Sequence, residues 1–282
     1  MRRPSTLRVA FAHAVLLLTS AVVLYPVLWV VKMALTPSQA FDLSMNPFPT
    51  QPSLANFREI VGATDLKGTW LFGHWLWNSV VLAVTTTVVG IAMATTAAYA
   101  FSRFAFPGRE GGLRALLVTQ MFPGVVMAIP LYILVDRLGL VNSIAGLVLV
   151  YSTTSIPFCI YMLKGYFDTI PKDLEEAAVI DGAGRWTIFT RLILPLARPA
   201  IVVTALFSFM TAWNEYILAA TFLQSEAAYT LPVVLQRYIG SFNTQWGLFA
   251  AGSIVVSLPV MLLFFALQRH LVGGLTAGGV KG

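Results

Sequence analysis

The chain has 282 residues, 57% of them hydrophobic and only 11% charged, with a mean hydropathy of +0.78. A soluble globular domain carries about 25% charged residues, so the composition excludes an ordinary soluble protein and predicts an all-α integral membrane protein. The net charge of +6 calls for no nucleic acid, because no basic cluster is interleaved with aromatics; Lys and Arg held in cytoplasmic loops account for it. Cys159 stands alone and forms neither an intrachain disulfide nor a metal site by itself. His13, His74 and His270 are scattered. No metal and no cofactor is implied.

Arg2, Arg3 and Arg8 precede an apolar run broken only by His13 and Pro26. That run exceeds the roughly 7–15 apolar residues of a secretory signal core. It reads as an uncleaved first span, 9–31, entering from the cytoplasm, with Lys32 placed to snorkel at its far end. The polar, Pro-rich stretch 36–76 is placed outside, and Trp70, Trp75 and Trp77 read as an interfacial aromatic belt. The second span, 78–101, carries Thr85, Thr86, Thr87 and a Gly90–Ala94 pair small enough for close helix approach. The third, 113–135, holds Gln120 and is interrupted by Pro123 and Pro130. Backbone groups freed at proline need other partners, which suits either a helix lining a translocation path or a kinked, packed one. The fourth span, 143–163, returns inside at Lys164. The fifth, 199–222, contains Trp213-Asn214-Glu215. Glu215 is the one acid well inside a span and is a functional candidate by default; a structural pairing is the competing reading. The sixth span is 246–267. The tail 268–282 reads QRHLVGGLTAGGVKG, whose glycines argue for an extended segment that orders on a partner. Six spans place both termini in the cytoplasm, and thirteen of the 18 Lys and Arg then lie inside, the expected bias.

Between the fourth and fifth spans, residues 171–199 read PKDLEEAAVIDGAGRWTIFTRLILPLARP. Pro171 suits a helix start, and Asp173, Glu175 and Glu176 suit the positive end of its dipole. Leu174, Ala177, Ala178 and Asp181 share a face. Gly182 and Gly184 end the helix and allow a left-handed cap. A second helix restarts near Arg185, offers Trp186, Phe189 and Ile193 on one side, and stops at Pro195. The spacing predicts a two-helix elbow with an apolar tip and charged flanks, held just outside the membrane.

This elbow resembles the EAA loop of ABC importer permeases, whose pattern is Glu-Ala-Ala, three residues, Gly, nine residues, Ile, any residue, Leu-Pro. Glu176-Ala177-Ala178, Gly182 and Leu194-Pro195 fall at the family spacing, with Leu192 in place of the Ile. Other stretches resemble the sugar-importing branch, nearest the smaller permeases of maltose importers. They are WLWNSV from Trp75, AYAFSRFAFPG from Ala98, QMFP from Gln120, DRLG from Asp136, KGYFDTI from Lys164, LEEAAVIDGA from Leu174 and GLTAGGVKG from Gly274.

The resemblance implies a type I ABC importer permease fold in a bacterial inner membrane. It implies maltose, maltodextrin or a related oligosaccharide as cargo. Its partners would be a second, MalF-like permease, a homodimeric MalK-like ATP-binding subunit and a periplasmic or lipid-anchored sugar-binding protein, all beside membrane lipid. The elbow would be the coupling helix on the ATP-binding subunit, through Leu174, Glu175, Glu176, Ala177, Ala178, Asp181, Gly182, Ala183, Trp186, Phe189, Leu194 and Pro195. Within that set Leu174, Ala177, Trp186 and Phe189 would be buried anchors, while Glu175, Glu176 and Arg185 set the register at the rim. The tail Gly274, Leu275, Thr276, Ala277, Gly278, Gly279, Val280, Lys281 and Gly282 would insert between the ATP-binding subunits. Gly240, Ser241, Phe242 and Asn243 stand where the family's loop enters the binding protein, although GSFN is not the family's wording. Gln120, Asn214 and Glu215 are candidate path residues.

No G-x-x-x-x-G-K-[ST] phosphate loop occurs, so the chain is not expected to be an ATPase. Two other classes stay open on residues alone. An ion-driven secondary transporter or other small-solute channel wants several intramembrane charges and repeated broken helices. A membrane-embedded enzyme wants a polar cluster at one interface.

Overall fold

The computed structural model describes residues 6–240 and 243–277. Among them the only non-helical pairing is one bridge between Thr64 and Trp70. The helices are α1 (Thr6–Leu35), α2 (Ala55–Val61), α3 (Leu71–Arg103), α4 (Arg109–Met121), α5 (Gly124–Arg137), α6 (Ile144–Phe167) and α7 (Asp173–Ile180). After these come α8 (Arg185–Thr187), a π-helical turn (Ile188–Ile193), α9 (Leu194–Leu196), α10 (Arg198–Asn214), α11 (Ile217–Phe222), α12 (Leu231–Arg237) and α13 (Trp246–Ala277). Four helices are long and apolar enough to cross a membrane: α1, α3, α6 and the Trp246–Gln268 part of α13. The number rises to six if two bent pairs each form one span.

One bend falls at Pro123, where the sequence reading had the third span interrupted, and the other at Ala197, between the elbow and the expected fifth span. In the expected third span, α4 and α5 meet at 104°. Phe122 and Pro123 are both extended there, with ψ of 124° and 129°. Proline disfavours helical geometry in the residue before it, so the ladder stops at Pro123. Pro130 interrupts nothing; it lies inside α5, just as Pro157 lies inside α6. The expected fifth span is also broken. α10 ends at Asn214, Glu215 is extended (φ −72°, ψ 125°), and α11 restarts at Ile217. The run Arg185–Leu196 meets α10 at 76°.

The chain packs as two compact units. One holds the residues up to Gly73 with Val234–Leu258. Its polar anchor is Asn56, 2% exposed, whose amide donates to the carbonyls of Ala34 and Thr36 at 3.0 and 2.8 Å and accepts from Gln39. Gln39 in turn accepts from the Leu248 amide at 3.0 Å. Lys32 does not snorkel: it is buried, 2.6 Å from Asp42, and donates to Ser44 and the Asn46 carbonyl. A local carboxylate satisfies the ammonium better than a reach to the interface.

The second unit holds His74–Val233 and the residues from Pro259. Here α6 runs through the interior with α4, α5 and α10 against it. A Cβ on Gly90 would meet Ser155 and Ser208 at 3.7 and 3.8 Å, so α3 approaches α6 and α10 at the small-residue pair. Trp75 is not a belt residue: it is buried and donates its indole N–H to the Glu226 carbonyl at 2.8 Å. Trp77 is exposed as expected. The tail also departs from expectation, because α13 continues through Gly273 and Gly274 to Ala277. Glycine weakens a helix by only about 1 kcal/mol per residue relative to alanine, which does not end an otherwise apolar helix. Gly278–Gly282 lie outside the described residues.

Candidate functional site

Two features of the second unit hold most of the residues singled out above: the elbow after α6, and a cavity between the two helix breaks.

The first arm of the elbow is α7, with Asp173, Glu175 and Glu176 in its first turn. It closes with a Schellman arrangement. The Gly182 amide bonds to the Val179 carbonyl at 3.0 Å and the Ala183 amide to the Ala178 carbonyl at 2.9 Å. Gly182 has φ +81°, the left-handed geometry that glycine adopts without strain. Gly184 is extended, with φ −71° and ψ 157°, so it needs no glycine freedom.

The second arm, α8 through α9, is rooted in the protein. Ile188, Phe189, Ile193 and Ala197 are buried in one cluster with Tyr99 of α3 and Ile160, Leu163 and Phe167 of α6. The Phe189 ring centroid lies 4.9 Å from that of Tyr99. Phe189 is therefore part of the chain's own core and not an anchor at the tip. Ala178, Ala183 and Leu194 are half-buried against the same cluster. The exposed apolar tip consists of Ile180 (86% exposed), Trp186 (70%), Val179 (59%) and Leu174 (43%). Val179 and Ile180 were missed in the sequence, although an apolar pair just before a left-handed cap is the available signal. Glu176, Ala177, Asp181 and Pro195 are exposed, and Arg185 stacks over the Phe104 ring at 5.3 Å.

Glu175 does not stand at the rim. It pairs with Arg103 at the end of α3, the two side chains being 15% and 6% exposed. Tyr99 donates to its other oxygen at 2.8 Å. Arg103 also donates to the Ile170 carbonyl at 2.9 Å and to Ser102 at 3.0 Å. Ser102 donates to Asp168 at 2.6 Å, and Lys164 reaches the other Asp168 oxygen at 2.6 Å. Burial alone would raise the Asp168 pKa, but the bonds from Lys164 and Ser102 outweigh it and hold the carboxyl below its ordinary value. One polar network thus ties α7 to the ends of α3 and α6.

The cavity has a volume of about 490 Å³ and is lined by residues of α4, α5, α6 and α11, including Thr119, Gln120, Phe122, Thr153, Thr154 and Glu215. Gln120 and Glu215, far apart in sequence, share it. Asn214 is not among its lining; its side chain bonds back to the Met210 carbonyl at 2.8 Å. Glu215 accepts from the Tyr151 hydroxyl at 2.5 Å and from the amides of Leu218 and Ala219 at 2.9 and 3.1 Å. Its carboxylate caps α11, which explains why the helix breaks at this residue. Gly240 approaches the Asn243 carbonyl so tightly that a Cβ would lie 2.6 Å from it. Ser241 and Phe242 lie outside the described residues. No group of three or more His, Cys, Asp and Glu able to hold a metal occurs among the described residues.

Residues 87–276 match the family described as "Binding-protein-dependent transport system inner membrane component". The galactooligosaccharide transport permease GanQ of Bacillus subtilis is 35% identical over 98% of this chain and 96% of its own length. The maltose/maltodextrin permease MalG of Escherichia coli K12 is 37% identical over 98% and 96%. Among solved structures, a bacterial ABC transporter involved in import of the acidic polysaccharide alginate superposes with a TM-score of 0.76 at 22% identity, covering 95% of this chain and 99% of that one. The MetNI methionine transporter, facing inward, gives 0.61 at 16% identity over 74% of this chain and 99% of that one.

Proposed function

This chain belongs to the family of binding-protein-dependent inner-membrane transport components, in its sugar-importing ABC branch, and from that membership we propose that it is one of two permease subunits lining the path for maltose, maltodextrin or a related oligosaccharide. A separate ATP-binding dimer, MalK-like, supplies the energy. A MalF-like permease completes the path, and a periplasmic or lipid-anchored sugar-binding protein delivers the cargo. Six spans then place both termini and the elbow in the cytoplasm, where ATP is.

The observation that carries this reading is the two-sided elbow. Its tip, Ile180 and Trp186, is apolar and exposed, while its root, Ile188, Phe189 and Ile193, is buried against α3 and α6. A surface that grips a moving subunit needs an apolar tip, and motion reaches the membrane only if the root is packed. ATP and the loaded binding protein would favour the same conformation, which is the condition for coupling. Gly274–Gly282 would contact the ATP-binding dimer, and Gly240–Asn243 the binding protein.

The test is purification of the tagged chain from its native membrane in mild detergent, followed by reconstitution. An ATP-binding subunit and a second permease should copurify, and sugar uptake should require ATP and binding protein. A chain that comes down alone, with ion-driven uptake, would overturn the proposal.

A further inference from the structure

We propose that the cavity between the two helix breaks is a saccharide subsite on this subunit, built for a neutral, hydroxyl-donating sugar and against an acidic one. The inference rests on the sugar-import reading and specifies its substrate class.

The side chains of the polar wall have spent all but one of their protons. Thr119 donates to the Leu116 carbonyl at 2.7 Å, Thr153 to Val150 at 2.7 Å and Thr154 to Tyr151 at 2.9 Å. Gln120 donates its amide nitrogen to the Thr154 carbonyl at 3.1 Å. A carbonyl only accepts, so the nitrogen is the atom turned to Thr154, and the amide oxygen and one N–H are left over. Glu215 brings a carboxylate, which accepts only. What these side chains offer a ligand is a set of acceptors with a single amide N–H. The matching ligand brings O–H donors, which a neutral sugar supplies in number. No Lys, Arg or His lines the cavity among the described residues, and its one charged group is the Glu215 carboxylate. A uronate would meet like charge there with no cation to offset it, and such repulsion is strong where the dielectric is low. The rest of the wall is apolar, with Phe122, Val125, Met127 and Leu131 able to cover the C–H face of a ring. The volume of about 490 Å³ lies within the roughly 300–1,000 Å³ of small-molecule sites.

The test uses the assembled importer in proteoliposomes, with maltotriose and its singly carboxylated, uronate-terminated analogue as probes. First, Thr153→Cys is labelled with a maleimide; Cys159 is buried and stays unlabelled. Turnover with maltotriose should slow labelling severalfold. Second, Gln120→Leu should raise KM for maltotriose about tenfold, the worth of one good hydrogen bond, with a smaller change in maximal rate. Third, Glu215→Gln should narrow the preference for the neutral sugar over the carboxylated one at least severalfold. That readout is a ratio within one preparation, so partial loss of folded protein cancels, and discrimination by the binding protein stays constant.

If maltotriose enters normally, yet labelling is indifferent to it and the KM of Gln120→Leu is unchanged, the subsite is overturned while sugar import stands. An unchanged ratio in Glu215→Gln overturns the charge selection. Failure of the intact importer to move any saccharide would instead sink the import reading itself.

Discussion

Replacing Glu175 with alanine tests whether the elbow acts as a rigid lever. The substitution removes the partner of Arg103, a guanidinium only 6% exposed, and also the acceptor for Tyr99. Breaking a buried ion pair from one side costs about 3–5 kcal/mol. Here Arg103 keeps its bonds to the Ile170 carbonyl and to Ser102. The cost should therefore be lower, about 2–3 kcal/mol, in the range of a charged hydrogen bond plus its stranded partner. At about 1.4 kcal/mol per factor of ten, the equilibrium constant for seating α7 on α3 falls roughly 30- to 150-fold. Reconstituted with its partners, the variant should keep ATP hydrolysis but lose most of its stimulation by loaded binding protein. The double variant Arg103→Met/Glu175→Leu, which leaves no unpaired charge, should recover more stimulation than either single change. Wild-type coupling in Glu175→Ala would refute the lever.

Gly182→Ala should destabilise the complex by the roughly 1–2 kcal/mol of a left-handed alanine, read as a lower thermal midpoint, with Gly182→Asn milder; Gly184→Ala, at an extended position, should be silent, and equal effects at the two sites would contradict the cap. Because the Asp168 pKa is lowered in the folded chain, its bonds contribute fully above the ordinary carboxylate range and are lost as pH falls through the depressed value. Thermal midpoints read against pH should drop there, and Asp168→Asn should flatten that limb; an unaltered slope would dismiss the assignment. Ile180→Asp, at the most exposed apolar position of the tip, should insert normally but fail to retain the ATP-binding subunit in a pull-down, since a charge at the centre of an apolar contact is desolvated without a partner. Full retention would move the contact elsewhere.

Hydropathy and the EAA-like spacing were enough to predict an all-helical membrane chain and the place of its elbow. The helix breaks were legible only in part. Pro123 marked the first, but the second is made by the Glu215 side chain capping α11, and a hydropathy window sees only an apolar run on either side of it. That the two breaks border one cavity is a tertiary fact; nothing local to Gln120 points to Glu215. Phe189 was misplaced for a related reason. Trp186 and Phe189 do share a face, their ring centroids 5.7 Å apart, but Phe189 is the one nearer the root and packs on Tyr99 of α3, so one is exposed and the other buried.

The adjacent acids of the elbow show how two like residues divide between structure and recognition. At 3.6 residues per turn, neighbours on a helix point about 100° apart, so Glu175 and Glu176 cannot both face α3. Glu175 turns inward and is spent on Arg103 and Tyr99; Glu176 is left exposed at the surface of α7. An inward carboxylate that fixes the arm and an outward one free to meet a cation of the ATP-binding subunit are both required if α7 is to be held and to hold. Under the proposed coupling, neutralising Glu176 weakens subunit contact, whereas neutralising Glu175 leaves contact intact and disconnects it from the membrane helices.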